Sequence, residues 1–202
     1  MTERPILFTP ENAQKVFDGT KTQTRRIIKP QPLHISWFDH QNSWCARVRD
    51  DTGSAEHPAY VMVPCPYGVV GDRLWIREAW RLLDYQERKP GPAYRGEKIQ
   101  RLAVEKWKPS IHMPRWARRT VVEITEIRVE QLHAMSMDDV RAEGVKAVWP
   151  ELDEPYSSGG KFVNEDELLR VGWIRLWESI NGKDSWALNP WVWCLTFRKV
   201  TL

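Results

Sequence analysis

Gly19-Thr20-Lys21-Thr22-Gln23-Thr24-Arg25-Arg26 is the most concentrated polar run of the chain, and it is followed by Ile27–Ile28 and closed by Pro30 and Pro32. Threonines and the isoleucine pair favour extended backbone, and the prolines end it. In an extended run Thr20, Thr22, Thr24 and Arg26 share one face, and Lys21, Gln23 and Arg25 the other. A turn just after Gly19 lets Lys21 and Thr24 converge. A threonine hydroxyl needs a base before it can attack a carbonyl. A lysine serves when burial or cationic neighbours lower its pKa, and Arg25 and Arg26 are such neighbours. The plainer reading, favoured by composition alone, is a basic strand edge whose charges oppose aggregation.

Working outward, PILFT at Pro5–Thr9 predicts a short strand. Pro10 follows Thr9 as a first-turn proline follows an N-cap. Ala13, Val16 and Phe17 recur at helical spacing and Gly19 is a stop, so a helix ending near Asp18 is predicted. Residues 33–62 have no clean period and read as an insertion with room for a hairpin. GVVGD at 68–72 is a turn signal. RLWIREAW at Arg73–Trp80 alternates as a strand, with Leu74, Ile76 and Glu78 on one face and Trp75, Arg77 and Ala79 on the other. Residues 84–113 are a loop-rich basic insertion. Thr120–Val129 is the clearest strand. Ser136 caps a helix that runs through Met137, Val140 and Arg141 and stops at Gly144. Asn164–Ile180 is an amphipathic helix, and Trp191–Val200 a final strand. Short strands with long, irregular connections argue for an α+β fold: a small, mostly antiparallel β-barrel or sheet with helices packed on its ends. A doubly wound sheet is disfavoured, and the sequence has neither GxGxxG nor GxxxxGK[ST]. The expected organisation is one domain over 1–202, with insertions near 33–62, 84–113 and 146–165.

The composition, 42% hydrophobic and 28% charged over 202 residues, excludes disorder, a coiled coil and a collagen-like chain. No apolar run approaches the roughly 20 residues that span a bilayer, so no membrane partner is expected. The opening MTERPILFTPENAQ is too polar for a signal peptide. Cys45, Cys65 and Cys194 form no CxxC pair, which points to reduced thiols in the cytoplasm. The five histidines (His34, His40, His57, His112 and His133) show no ligand spacing, so no metal or cofactor is expected. The net charge of +3 conceals a split. Residues 73–120 hold 13 Lys/Arg against five Asp/Glu, whereas residues 121–170 hold five against 12. One basic and one acidic face follow. In the basic stretch Trp107 and Trp116 flank His112 among Lys106, Lys108, Arg115, Arg118 and Arg119. Aromatics interleaved with cations suit base stacking plus phosphate contact, though the same tryptophans would serve equally to anchor an insertion in the core. Two carboxylates also stand out. Glu78, alternating with apolar residues, faces a pocket or pairs with an arginine. Glu143, at a helix C-terminus where the macrodipole disfavours it, asks for a cation such as Lys21.

GTKTQTRR at 19–26, VGDRLW at 70–75 and AEG at 142–144, in that order, resemble the ASCH domain family. That family has the PUA-like fold, a small β-barrel with flanking helices related to RNA-binding domains. MPRWARR at 113–119 and NPWVW at 189–193 resemble a longer phage and prophage branch. Small bacterial members of similar pattern are amidohydrolases that remove the acyl group from N4-acetylcytidine. The resemblance implies Lys21 as base, Thr24 as nucleophile and Glu143 as the group that orients Lys21 or a water, with no metal. On this reading Trp75 and Trp80 wall the pocket beside Glu78, and Arg25, Arg26 and Arg77 contact ribose or phosphate. Trp107, His112, Arg115, Trp116, Arg118 and Arg119 offer a nucleic-acid face. Trp173, Trp177, Trp191 and Trp193 are expected in the core. The partner is a nucleoside or RNA, and the protein a monomer or dimer. Two alternatives stand beside this: a non-catalytic binder of RNA or single-stranded nucleic acid, with a nuclease as its variant, and a phage regulatory or structural protein.

Overall fold

Strand β10 (Trp191–Val200) lies inside the main sheet, antiparallel to β9 (Val121–Gln131) on one side and to β2 (Gln23–Ile27) on the other. Beyond β9 lie β6 (Arg73–Arg77), antiparallel, and β1 (Glu3–Leu7), which pairs with β6 in parallel. The order is therefore β1-β6-β9-β10-β2. The computed structural model describes residues 1–39, 43–49, 54–56, 58–83, 91–96, 106–147 and 164–201.

The sequence of β10, WVWCLTFRKV, explains its interior place. Its side chains alternate between two hydrophobic cores. Trp193, Leu195 and Phe197 join Ile6, Leu74, Ile76, Val122 and Ile124 on one face. Val192 faces the other way, toward Leu132, Val140, Leu169, Trp173 and Trp177. The first core is covered by α1 (Pro10–Phe17) and a small sheet of β3 (His34–Phe38), β4 (Ser43–Val48) and β5 (Ala59–Met62), through Ala13, Val16, Ile35 and Ala46. The second is covered by α2 (Met137–Ala142) and α3 (Glu165–Asn181). The architecture is α+β, and the β1–β6 pair is the one parallel pairing among the described strands.

Several sequence expectations change here. The strand expected over 73–80 breaks after Arg77, because Glu78 turns its carboxylate onto Arg119 and its N–H onto the Met113 sulfur rather than into a ladder. The chain resumes as β7 (Trp80–Leu83), which pairs with β8 (Gly91–Tyr94) inside the stretch expected to be loop. Residues 84–90 and 97–105 of that insertion, and 148–163 of the one near 146–165, lie outside the described residues. The described residues within 33–62 form the β3-β4-β5 meander rather than a single hairpin, and residues 40–42, 50–53 and 57 lie outside them. No closed barrel forms among the described residues. Edges β1 and β2 are not paired as strands, and the gap is spanned by a side chain, the Arg26 guanidinium donating to the Leu7 carbonyl at 2.6 Å. No described helix is long and apolar enough to cross a membrane.

The start of β1 is tied down by one carboxylate. Asp72 accepts from the Thr2 N–H at 2.7 Å, from Arg4 at 3.1 Å and from the Val69 N–H at 3.3 Å. Gly68 makes room for this, since a Cβ there would lie 2.3 Å from the Arg4 guanidinium. The hydrogen bonds, that from the Thr2 N–H first, hold the Asp72 pKa at about 2, below the ordinary 3.8. A lowered carboxylate stabilises the fold fully above its unfolded pKa and loses that contribution as pH falls through its folded one. Urea titrations should therefore show wild type losing stability from pH 4 to pH 2, and Asp72→Asn losing measurably less over that interval.

Candidate active site

Thr9 caps α1, accepting from the Asn12 N–H, and the helix ends at Asp18. Gly19 then takes a positive φ of 79°, and the N–H groups of Thr20 and Lys21 both return to the Lys15 carbonyl. This turn aims the chain into β2. The segment before β2 docks on the end of α2, with the Thr22 N–H donating to Ala142 O at 2.8 Å. Helix α2 opens with a capping box between Ser136 and Asp139 and closes on Glu143. Gly144 has φ 70°, and a Cβ there would sit 3.1 Å from both Lys21 Cβ and Thr20 O. Only glycine allows this approach without strain.

The approach joins Lys21 to Glu143. The Lys21 ammonium binds the Glu143 carboxylate and also donates to the Glu143 carbonyl at 3.1 Å, and both side chains are 2% exposed. The partner that the carboxylate at the helix C-terminus required is thus a residue 122 positions away. Burial lowers the Lys21 pKa below the ordinary lysine value. Glu143 opposes this, while Arg26 and Lys15 add to it.

Arg25 completes the arrangement from the same face of β2. It donates to Glu143 at 3.2 Å, to Gln23 at 2.7 Å and to Glu130 at 2.6 and 2.9 Å, and lies 3.3 Å from Asp139. Burial works against its charge, but Cys194, Glu143 and Glu130 outweigh it and raise its pKa. Burial works against the charge of Asp139 too, yet hydrogen bonds from Ser136, Arg128 and Gln23 hold its carboxyl well below the usual range. Burial pushes the nearby Cys194 thiol up to about 11. Arg25 is therefore held by carboxylates, and it also lines the cleft that holds Lys21 and Thr24. A charge buried this way costs several kcal/mol unless its partners are in place.

Thr24, on the opposite face of β2, is buried and lines a cleft of about 450 Å³ together with Lys21, Glu143 and Arg26. The remaining wall is largely apolar, with Phe8, Pro10, Trp173, Trp177 and Ile180. Arg26 lies over the Phe8 ring at 4.9 Å, and the Lys21 ammonium lies 5.9 Å from the same centroid. A few convergent polar groups in an apolar cleft of this size are typical of small-molecule sites.

The other expected residues are placed elsewhere. Trp75 and Trp80 do not line this cleft. Trp75 is buried beside Arg77, and Trp80 belongs to a separate cluster with Tyr94, Met113 and Ala117. Arg77 binds the Ile111 carbonyl. Fully buried Glu78 takes the arginine alternative, receiving two bonds from Arg119 at 2.7 and 2.8 Å. Arg119 itself is sandwiched between the Phe17 and Tyr94 rings, which makes it a staple of the core. Arg115 and Arg118 pair with Glu3, and Arg81 stacks on Trp107. Trp116 is 61% exposed and His112 is also exposed. Trp173, Trp177 and Trp193 are buried and Trp191 is partly so. Two of them double as cleft wall, which the core assignment missed. Glu130 and Asp139 were missed as well. Their approach to Arg25 follows from the order of β2, β10, β9 and α2, which no local spacing encodes.

Among the described residues no group of three or more His, Cys, Asp or Glu is placed to hold a metal ion. What the arrangement offers is a hydroxyl, a lysine of lowered pKa and a carboxylate around one cavity, which are the components of a base-activated nucleophile. No family model, no curated protein and no solved structure matches the chain.

Proposed function

We propose that the chain is a PUA-like, ASCH-type amidohydrolase that removes the acyl group from an N4-acylated cytosine, in a nucleoside or in RNA. The observation that carries this reading is the buried Lys21–Glu143 pair, which shares a largely apolar cleft with Thr24. Aromatic walls suit a flat base, and these polar groups meet its exocyclic amide. Neutral Lys21 takes the proton of the Thr24 hydroxyl as Oγ1 attacks the acyl carbon. The C–N bond then breaks, and the amine nitrogen leaves with that proton returned by Lys21. Water, activated by the same lysine, cleaves the acyl–threonine ester to carboxylate and free threonine. Glu143 orients Lys21 throughout. The PUA-like assignment draws support from the sheet itself, whose edge strands β1 and β2 come close enough for Arg26 to bridge them.

Incubation with N4-acetylcytidine should release cytidine and acetate. The rate should climb as Lys21 loses its proton, at a pH below the ordinary lysine range. An inactive wild type, or Lys21→Ala with an unchanged rate, would sink the proposal. One observation favours the binding-module alternative, namely Trp116, which stands largely in solvent edge-on to Trp80 with Lys108 over the Trp80 ring. An exposed aromatic next to cations is a stacking platform for an unpaired base.

A further inference from the structure

A second cleft, of about 580 Å³, lies behind the first and meets it at Arg95, which lines both. Its cations are Lys15, Arg95, Lys146 and Arg141, and its anions Glu11 and Asp18. Arg141 is already held by Asp138 and Asp166, and Asp18 accepts from Gln14. Lys15, Arg95 and Lys146 make no ion pair among the described residues, which leaves three uncommitted cations against the carboxylates of Glu11 and Asp18.

These three come from separate elements that are each fixed in place. Lys15 is on α1, half-buried, and its Cδ lies 3.2 Å from where a Cβ on Gly144 would be. Arg95 follows β8, and its N–H donates to Ala79 O at 3.0 Å. The next residue, Gly96, is pressed so close to α1 that a Cβ would stand 2.5 Å from Pro10 O. Lys146 follows α2 by way of Gly144. Burial, and then the neighbouring Lys146, lower the Lys15 pKa, while Glu11 and Glu143 oppose the lowering. The floor of this second cleft at Gly144 is the back of Lys21. A ligand with a base in the first cleft and an anionic end past Arg95 would occupy both.

We propose that the second cleft is a phosphate subsite formed by Lys15, Arg95 and Lys146, so that the site prefers a nucleotide or a phosphate-linked residue over a free nucleoside. The choice of cytosine rests on the amidohydrolase reading, whereas the anion preference does not. Calorimetric titration with cytidine, cytidine 5′-monophosphate and a short cytidine-containing RNA tests it. Wild type should bind the monophosphate about tenfold or more tightly than cytidine, the gain of one or two charge-assisted bonds. That ratio should shrink with added salt and fall to near one in Lys15→Gln/Lys146→Gln. The RNA should show the same charge-dependent gain if the natural phosphate is internucleotide, and none beyond cytidine if it is a terminal monoester. Equal affinity for cytidine and its monophosphate in wild type, no binding of either, or a ratio that survives in the double variant would overturn the proposal. An enzyme that deacetylates yet shows equal affinities would lose only the phosphate subsite. A protein that prefers the monophosphate yet never deacetylates would lose only the amidohydrolase reading.

Discussion

Glu143→Gln is expected to cost the fold roughly 3–5 kcal/mol, the penalty for stripping one partner from a buried ion pair. The substitution keeps volume and shape and removes only charge. It leaves Lys21 at 2% exposure with no opposing charge, and it also takes one carboxylate from Arg25. Lys21→Met should cost less, because Glu143 would keep Arg25 at 3.2 Å. Urea unfolding of the two variants at neutral pH checks this order. The pH dependence has a sign as well. Lys21 binds its proton less tightly in the fold than at the ordinary value of 10.5, so the unfolded chain holds more protons and stability rises with pH toward that value. Without Glu143, which opposes the lowering, the window over which stability rises should widen downward. A Glu143→Gln protein as stable as wild type, or one whose stability is flat between pH 7 and 10, would show that the pair is not the buried charge pair described above.

Thr24→Val is expected to lower deacetylation by about 10³-fold or more, the scale seen when a nucleophile is removed, with little change in thermal unfolding. Valine fills nearly the same space, and the ladder pairing of position 24 with Leu195 is a main-chain matter that it leaves intact. Since Glu143→Gln moves stability and turnover together, it cannot by itself separate a catalytic role from a structural one. Thr24→Val does separate them. Acyl transfer to position 24 can be read directly as an added acyl mass on the wild-type chain after rapid quenching, a signal the valine variant must lack. Full activity in Thr24→Val would remove the threonine from the mechanism and leave a water activated by Lys21 as the nucleophile.

The elements that carry their own local signals were legible. Thr9-Pro10, Ser136 with Asp139, and the alternation in Trp191–Val200 are short-range patterns, and each gives the element it announces. The partnership of Glu143 was legible too, because a carboxylate at a helix C-terminus is electrostatically misplaced without a cation. What stayed hidden depends on order in space. Pro5–Thr9 reads as a short strand, but nothing in it shows that β1 pairs in parallel with β6, across an intervening helix and four other described strands. Arg25 looks like a free cation because Glu130 and Asp139, which claim it, are brought in by β9 and α2. Trp75 and Trp80 follow the VGD turn and so resemble pocket walls. Neither lines the cleft, and the break in the strand between them falls at Glu78, which is held by Arg119, a residue 41 positions further on.

The place of β10 between β9 and β2 also governs when the site can exist during synthesis. Until this strand is made, β2 has no ladder partner among the described strands, and Thr24 has no register. Helix α2 can form early, but the segment that presents Lys21 to it is pinned by the Phe197 N–H bonding to the Thr22 carbonyl. A nascent chain paused before residue 191 therefore carries every proposed catalytic side chain but lacks the ladder that sets the register of Thr24, and the site is complete only when β10 enters between β9 and β2.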